Sequence, residues 1–162
     1  MARLTTEAVT DALTGLGNRR AFEEDLAREL SRLARHARPL SLVVIDIDGL
    51  KEINDTRGHS AGDDALRSLG CVLRRALRRQ DTAYRLGGDE FALLLPDAAG
   101  LSAGDLAGRL AQAGAPRCSL GLATSPPDPP SRMLELADRR LYEGRRARCF
   151  YYSPLLATGA RR

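Results

Sequence analysis

Arg85-Leu-Gly-Gly-Asp-Glu-Phe-Ala-Leu-Leu-Leu-Pro96 is the stretch on which the fold turns. Thr82 to Leu86 has the composition of a strand, and Phe91 to Leu95 is an unbroken apolar run of strand length that Pro96 ends. Between them, Gly87-Gly88 permits the positive φ angles of a tight hairpin turn. Asp89 and Glu90 then sit on an open shelf where no side chain keeps a phosphate or a base from the glycine backbone. Hairpin chemistry alone explains an isolated Gly-Gly-Asp; two further stretches give these carboxylates another role.

Upstream, Leu42-Val-Val-Ile-Asp-Ile-Asp48 is an apolar strand ending in acids at alternate positions, followed by Gly-Leu-Lys-Glu-Ile-Asn-Asp-Thr-Arg-Gly-His-Ser-Ala-Gly-Asp63. Side chains alternate along a strand, so Asp46 and Asp48 share a side only if the strand stays extended through both. Carboxylates from adjacent strand ends are hard ligands suited to magnesium, which takes few protein ligands and completes its shell with water and substrate phosphates. That geometry implies phosphoryl chemistry. At the amino end, Asp11-Ala-Leu-Thr-Gly-Leu-Gly-Asn-Arg-Arg20 reads as a turn running into a helix.

The remaining elements follow from periodicity. A helix that starts at Asn18 or an adjacent residue and runs to about Arg35 aligns Phe22, Leu26, Leu30 and Leu33 on one face, Pro39 stops it, and a strand covers Leu40 to Asp46. Gly49 to Gly62 reads as a loop with one helical turn. Ala65, Leu66, Leu69, Leu73 and Leu77 then mark a second amphipathic helix. After the hairpin come a short helix from Ser102 to about Gln112, a strand at Arg117 to Thr124, a proline-rich bend at Pro126 to Pro130, and a helix from Ser131 to Arg148 burying Leu134, Ala137 and Leu141. The order predicts an α/β layer fold with helices covering a mixed central sheet, a pattern that by itself does not separate this fold from a ferredoxin-like one.

With 162 residues and 43% hydrophobic content the chain fits one soluble globular domain. Of 25 basic residues only Lys51 is a lysine; arginine suits phosphate, though a GC-rich coding sequence gives the same bias. Aromatics are 4% of the chain and three cluster at Phe150-Tyr151-Tyr152, which argues against nucleic-acid binding. Cys71, Cys118 and Cys149 form no paired spacing, so neither a disulfide framework nor a zinc site is expected and a cytoplasmic setting fits. No apolar run is long enough for a membrane segment, and the amino end lacks a signal-peptide core.

The three motifs, in this order and over about Asp11 to Arg148, resemble the GGDEF family of diguanylate cyclases. The resemblance implies a sheet like that of nucleotidyl cyclases and polymerase palms, here over residues 11–152 with a lead or connector stub at 1–10 and a tail at 153–162. It implies condensation of two GTP into cyclic di-GMP within a transient homodimer, dependent on magnesium or on manganese in its place. By motif, Asp46, Asp89 and the Ile47 carbonyl hold the metal, while Glu90 binds a second ion or helps deprotonate the 3′-hydroxyl. Asn54 and Asp63 read guanine; both are also residue types that cap turns and helices. His59 also belongs to the family pattern and reads as a packing or hydrogen-bonding residue, not a catalyst.

Two departures concern phosphate. Gly49 and Leu50 stand where the family carries aromatic residues, leaving only backbone N–H donors. In Ala137-Asp-Arg-Arg-Leu-Tyr-Glu-Gly-Arg-Arg-Ala-Arg-Cys-Phe150, Arg145 replaces a phosphate-binding lysine, and Cys149 takes the position of a second basic residue that Arg148 neighbours. Arg78-Arg-Gln-Asp81 has the spacing from Gly87 of the family's Arg-x-x-Asp product-inhibition site, although arginines at Arg74, Arg75, Arg78 and Arg79 also suit a solvated helix end. The alternative to an enzyme is a catalytically silent receptor for cyclic di-GMP. Either role implies an upstream regulatory domain.

Overall fold

The computed structural model describes residues 8–151, with side chains through residue 147. Most of the expected lead, the tail at 153–162, the side chains of Arg148 and Cys149, and the Phe150-Tyr151-Tyr152 cluster lie outside the described residues. Asn18 opens α1 (Arg19–His36) by accepting a hydrogen bond from the Ala21 amide at 3.1 Å, a cap worth about 1 kcal/mol. Ala37, at φ 51°, ends the helix. Then follow β1 (Leu40–Ile47), α2 (Leu50–Arg57), α3 (His59–Ala76), the hairpin β2 (Thr82–Gly87) and β3 (Glu90–Pro96), α4 (Ala103–Gln112), β4 (Cys118–Ser125) and α5 (Met133–Tyr151).

The sheet runs β2-β3-β1-β4, and every neighbouring pair is antiparallel. The expected layer of helices over a central sheet is there, but the sheet is not mixed. Each helical crossover, β1 to β2 and β3 to β4, skips one strand, so the parallel strands that it links never become neighbours. The unbroken apolar runs of β1 and β3 report burial on both faces, not strand direction. The one parallel pairing among the described residues is an isolated bridge from Gly17 to Tyr84.

Strand parity divides the core in two. Val43, Ile45, Ile47, Phe91, Leu93 and Leu95 face Leu66, Leu69 and Leu73 of α3 and Leu106 and Leu110 of α4. Leu40, Leu42, Val44, Ala92 and Leu94 face Phe22 and Leu33 of α1 and Met133, Leu136, Ala137 and Leu141 of α5. Leu134, expected to be buried, is instead 37% exposed; Met133 and Leu136 take the inward positions because the helix enters from the 3₁₀ turn at Pro130–Arg132.

The stretch from Gly49 to Gly62 is not a loop. It forms α2 and the first turn of α3, separated by Gly58 at φ 87°. Its polar composition hides the helix, since only Leu50 and half-buried Ile53 provide an apolar face.

Candidate active site

The parity that turns Ile45 and Ile47 toward α3 turns Asp46 toward α1 and α5, and Glu90, in step with Ala92 and Leu94, comes to the same face. Asp46 and Glu90 are direct cross-strand partners. Asp89 lies in the turn between Gly87 and Glu90, and its carbonyl accepts from the Ile47 amide at 3.3 Å. Asp46 is buried, at 9% exposure. Burial pushes its carboxyl up to about 6, Arg145 pulls it back, and the neighbouring Asp89 adds to the rise. Asp46, Ile47, Asp89 and Glu90 are therefore together at one end of the sheet.

Arg145 crosses from α5 to this cluster. Its Nη2 lies 2.7 Å from Asp46 Oδ1 and 3.7 Å from Asp48 Oδ1, so both acids do share a side. No N–H is aimed at Asp46 Oδ1, which is buried without a hydrogen bond; the contact is an ion pair by proximity alone. Asp48 is better satisfied: Ser119 Oγ on β4 donates to it at 2.5 Å, and Arg117 Nε lies 3.8 Å away. Glu90 is exposed and pairs with Arg19 Nη2 at 3.7 Å. Asp138 on α5 has its carboxyl pushed up by desolvation and by Glu90, against the pull of Arg19.

The donor set fits a magnesium-sized cation. Asp46 and Asp89 are the one or two carboxylates that such an ion takes from protein, and the unaimed Asp46 oxygen is an acceptor in waiting.

The hairpin turn is braced from outside the core. Arg85 Nε and Nη2 donate to the Gly88 carbonyl at 3.1 and 2.9 Å, and Nη1 reaches Asp11 Oδ1 at 3.2 Å. Burial pushes the Asp11 carboxyl up, but hydrogen bonds from Thr14 and the charge of Arg85 hold it below its ordinary value. The motif from Asp11 to Arg20 thus meets the hairpin at Arg85 and, through Arg19 Nε on the Leu86 carbonyl at 3.1 Å, at β2.

Asn54 and Asp63 both lie at the α2–α3 junction. The Asn54 side chain lies against Gly62, where a Cβ would collide with Asn54 Oδ1, and Asp63 follows on α3. Gly49 caps α2 at φ 73° with no side-chain hydrogen bond, so the first amides of α2, beginning at Leu50, carry no side-chain cap.

Arg78 and Asp81 form a closed pair on the far side of the hairpin. Arg78 Nε and Nη2 donate to Asp81 Oδ2 and Oδ1 at 3.1 and 3.0 Å, and the Arg78 amide caps Oδ2 at 3.0 Å. They line a cavity of about 310 Å³ with Asp97 and Arg109. A cavity of about 570 Å³, lined by Leu33, His36, Leu40 and Pro96, sits at the opposite end of β1 from Asp46.

The sequence pairs Asp48 with Asp46 but assigns it no role, and it does not single out Ser119, Arg19, Asp138 or Arg109. For Asp48 the alternate spacing with Asp46 was the signal; for Arg19 it was adjacency to the helix-starting Asn18. Ser119 and Arg109 carry no local signal, since only the strand pairing and the cavity bring them in.

A family profile described as diguanylate cyclase, GGDEF domain, matches residues 8–149. The chain is 36% identical over 163 residues to diguanylate cyclase DgcS of Shewanella oneidensis, covering 93% of this chain and 55% of that protein. It is 42% identical over 155 residues to diguanylate cyclase DgcP of Pseudomonas aeruginosa, covering 87% and 23%. The chain thus spans about half or less of the length of these relatives. Among solved structures, the GGDEF domain of DgcB from Caulobacter crescentus in complex with c-di-GMP matches with a TM-score of 0.76 at 31% identity, over 90% of this chain and 94% of that one.

Proposed function

The chain belongs to the GGDEF family of diguanylate cyclases, and from that membership we propose that it condenses two GTP into cyclic di-GMP and two pyrophosphates. The observation that carries the proposal is the convergence of Asp46, Asp89 and Glu90 at one end of the sheet. Each 3′-oxygen bonds to the α-phosphorus of the other nucleotide, the bond from that phosphorus to the β-phosphate oxygen breaks, and pyrophosphate leaves. Glu90, exposed beside the cluster, takes the hydroxyl proton or passes it to solvent. Asp46, Asp89 and the Ile47 carbonyl would hold a divalent cation, magnesium or manganese, with Glu90 at a second position, and such an ion would supply neutralisation of the phosphate charge.

Asn54 and Asp63 hold guanine: its N1 and exocyclic amine are both donors, whereas adenine presents an acceptor at N1 that would leave Asp63 unpaired. The uncapped amides at Gly49 and Leu50 face the phosphates together with Arg145. The carboxylates lie on an open sheet end, as a substrate shared between two facing copies requires, so the working form is a transient homodimer. Residues 11–152 are the catalytic domain in this reading. GTP as substrate fits the cytoplasm; among the described residues no helix is long and apolar enough to cross a membrane. Arg78 and Asp81 bind the product for feedback, under control of an upstream regulatory domain.

A second reading, a silent cyclic di-GMP receptor, is favoured by the intact Arg78–Asp81 pair beside its cavity. Incubation with GTP and magnesium, with ATP in parallel and products read by mass, separates the two. Asp89→Ala should abolish product while leaving the unfolding midpoint unchanged, because a turn carboxylate contributes little to the core. Near-normal turnover by that variant removes the metal assignment; product binding without turnover in the unaltered chain makes it a receptor.

A further inference from the structure

Arg145 sets a cationic side chain against Asp46, the carboxylate assigned above to the metal. Arg145 Nη2 is 2.7 Å from Asp46 Oδ1, whereas magnesium would need that oxygen at about 2.0–2.1 Å. Two cations cannot share one buried oxygen at those distances without strong repulsion. Arg145 can leave: its side chain is 36% exposed, its second acceptor, Asp48, is 3.7 Å away, and none of its N–H groups is aimed at Asp46 Oδ1. Asp48 does not depend on it, having Ser119 at 2.5 Å.

We propose that Arg145 is an exchangeable internal counter-ion of Asp46, displaced by the divalent cation and received by the nucleotide's triphosphate, so that metal binds weakly alone and tightly together with nucleotide. This rests on the metal reading of Asp46 and Asp89. A metal arriving alone must expel Arg145 into water, whereas a metal arriving with a triphosphate gives the guanidinium a bidentate anion. The pairing ties occupancy of the metal site to the presence of substrate, a coupling that is reciprocal between the two ligands. Arginine is suited to this exchange because both carboxylate contacts are made by a single nitrogen, Nη2, while a planar fork offers a triphosphate the paired donors that a lysine ammonium, a single point charge, does not.

Binding of Mn2+ to the full chain, followed by the loss of the free-ion electron paramagnetic resonance signal, tests the proposal without turnover. It is measured with and without a non-reactive α,β-methylene analogue of GTP. Arg145→Ala should tighten Mn2+ binding in the absence of nucleotide by roughly fivefold or more, and shrink by a similar factor the gain that nucleotide produces. Arg145→Lys should fall between the two. Unchanged or weaker Mn2+ binding by Arg145→Ala without nucleotide would overturn the exchange. Asp89→Asn is the separate control: if it binds Mn2+ as the unaltered chain does, or if no protein binds Mn2+ at all, the metal reading fails and this inference goes with it.

Discussion

Arg85 donates two hydrogen bonds to one oxygen, the carbonyl of Gly88, from Nε at 3.1 Å and Nη2 at 2.9 Å. Its remaining nitrogen is held by Asp11. The turn bearing Asp89 is therefore splinted by a side chain that is itself anchored ahead of α1, outside either hydrophobic core. A carboxylate on a two-glycine turn needs such a splint, since Gly87 and Gly88 restrict nothing themselves.

Removing the splint should misplace Asp89 more than it unfolds the domain. Arg85→Ala is expected to lower kcat/KM on the order of 10²-fold, the scale of a roughly 1 Å misplacement at a reacting centre. The stability loss should stay at about 1.5–3 kcal/mol, that of a charge-assisted hydrogen bond. Asp11→Ala should act in the same direction, and the double variant should be no worse than Arg85→Ala alone. Turnover near the unaltered level in Arg85→Ala would show that the turn holds its shape unaided.

Asp46 gives a pH dependence with a definite sign. Its folded value of about 6 lies above the ordinary 3.8, so between these limits the folded protein keeps a proton that the unfolded chain has released. The stability it contributes is present below about pH 4 and is lost as pH rises through about 6. The gap corresponds to roughly 3 kcal/mol at most, at about 1.36 kcal/mol per pH unit. In chelator-treated protein, Asp46→Asn should therefore be more stable than the unaltered chain above about pH 7, and equal to it near pH 4. Urea unfolding across that range decides it, and a difference that does not vary with pH would refute the expectation. Magnesium added at neutral pH together with the non-reactive GTP analogue should narrow the gap by stabilising the unaltered chain alone.

What was legible in the sequence was what local pattern controls. The hairpin, the cap at Asn18 and the alternation that sends Asp46 and Asp48 to one side all follow from neighbours in the chain. The helix α2 was hidden because its contacts are made by α3, through Asn54 against Gly62, and not by an apolar stripe of its own. Strand direction was hidden because both faces of β1 are covered, which makes an antiparallel strand look like a strand of a parallel sheet. The grip of Arg145 on Asp46 needs α5 packed across β4 and β1, and no spacing in the sequence announces a contact over so many residues.

The Arg78–Asp81 pair is closed on itself, so product must open it. Asp81 is held by three donors from Arg78, and its side chain is only 5% exposed. Arg78→Ala should relieve product inhibition and weaken cyclic di-GMP binding by about 10-fold or more, the loss of a charged hydrogen bond. Initial rates should stay nearly unchanged, because this pair lies across the hairpin from the carboxylates. A collapse of the initial rate with product affinity intact would reverse the assignment.

The last expectation concerns assembly. Each chain brings one group of Asp46, Asp89 and Glu90, and a reaction in which each 3′-hydroxyl attacks the other nucleotide needs two such groups face to face. Asp89 is half-buried and Glu90 exposed, so a second copy can approach from their side without unfolding anything. If encounter limits the rate, activity per subunit should rise with protein concentration and level off only where dimers saturate. Fusing a parallel dimeric coiled coil ahead of Thr10 should move that rise to lower concentration by raising the effective local concentration toward the millimolar range, with no new contact in the site. Arg145→Ala placed in the fused protein should still bind nucleotide poorly, because enforced proximity does not replace a phosphate contact. Specific activity measured over a wide concentration range, with and without the fusion, is the test; a flat line at substantial rate in the unfused chain would mean that it already forms a stable catalytic dimer.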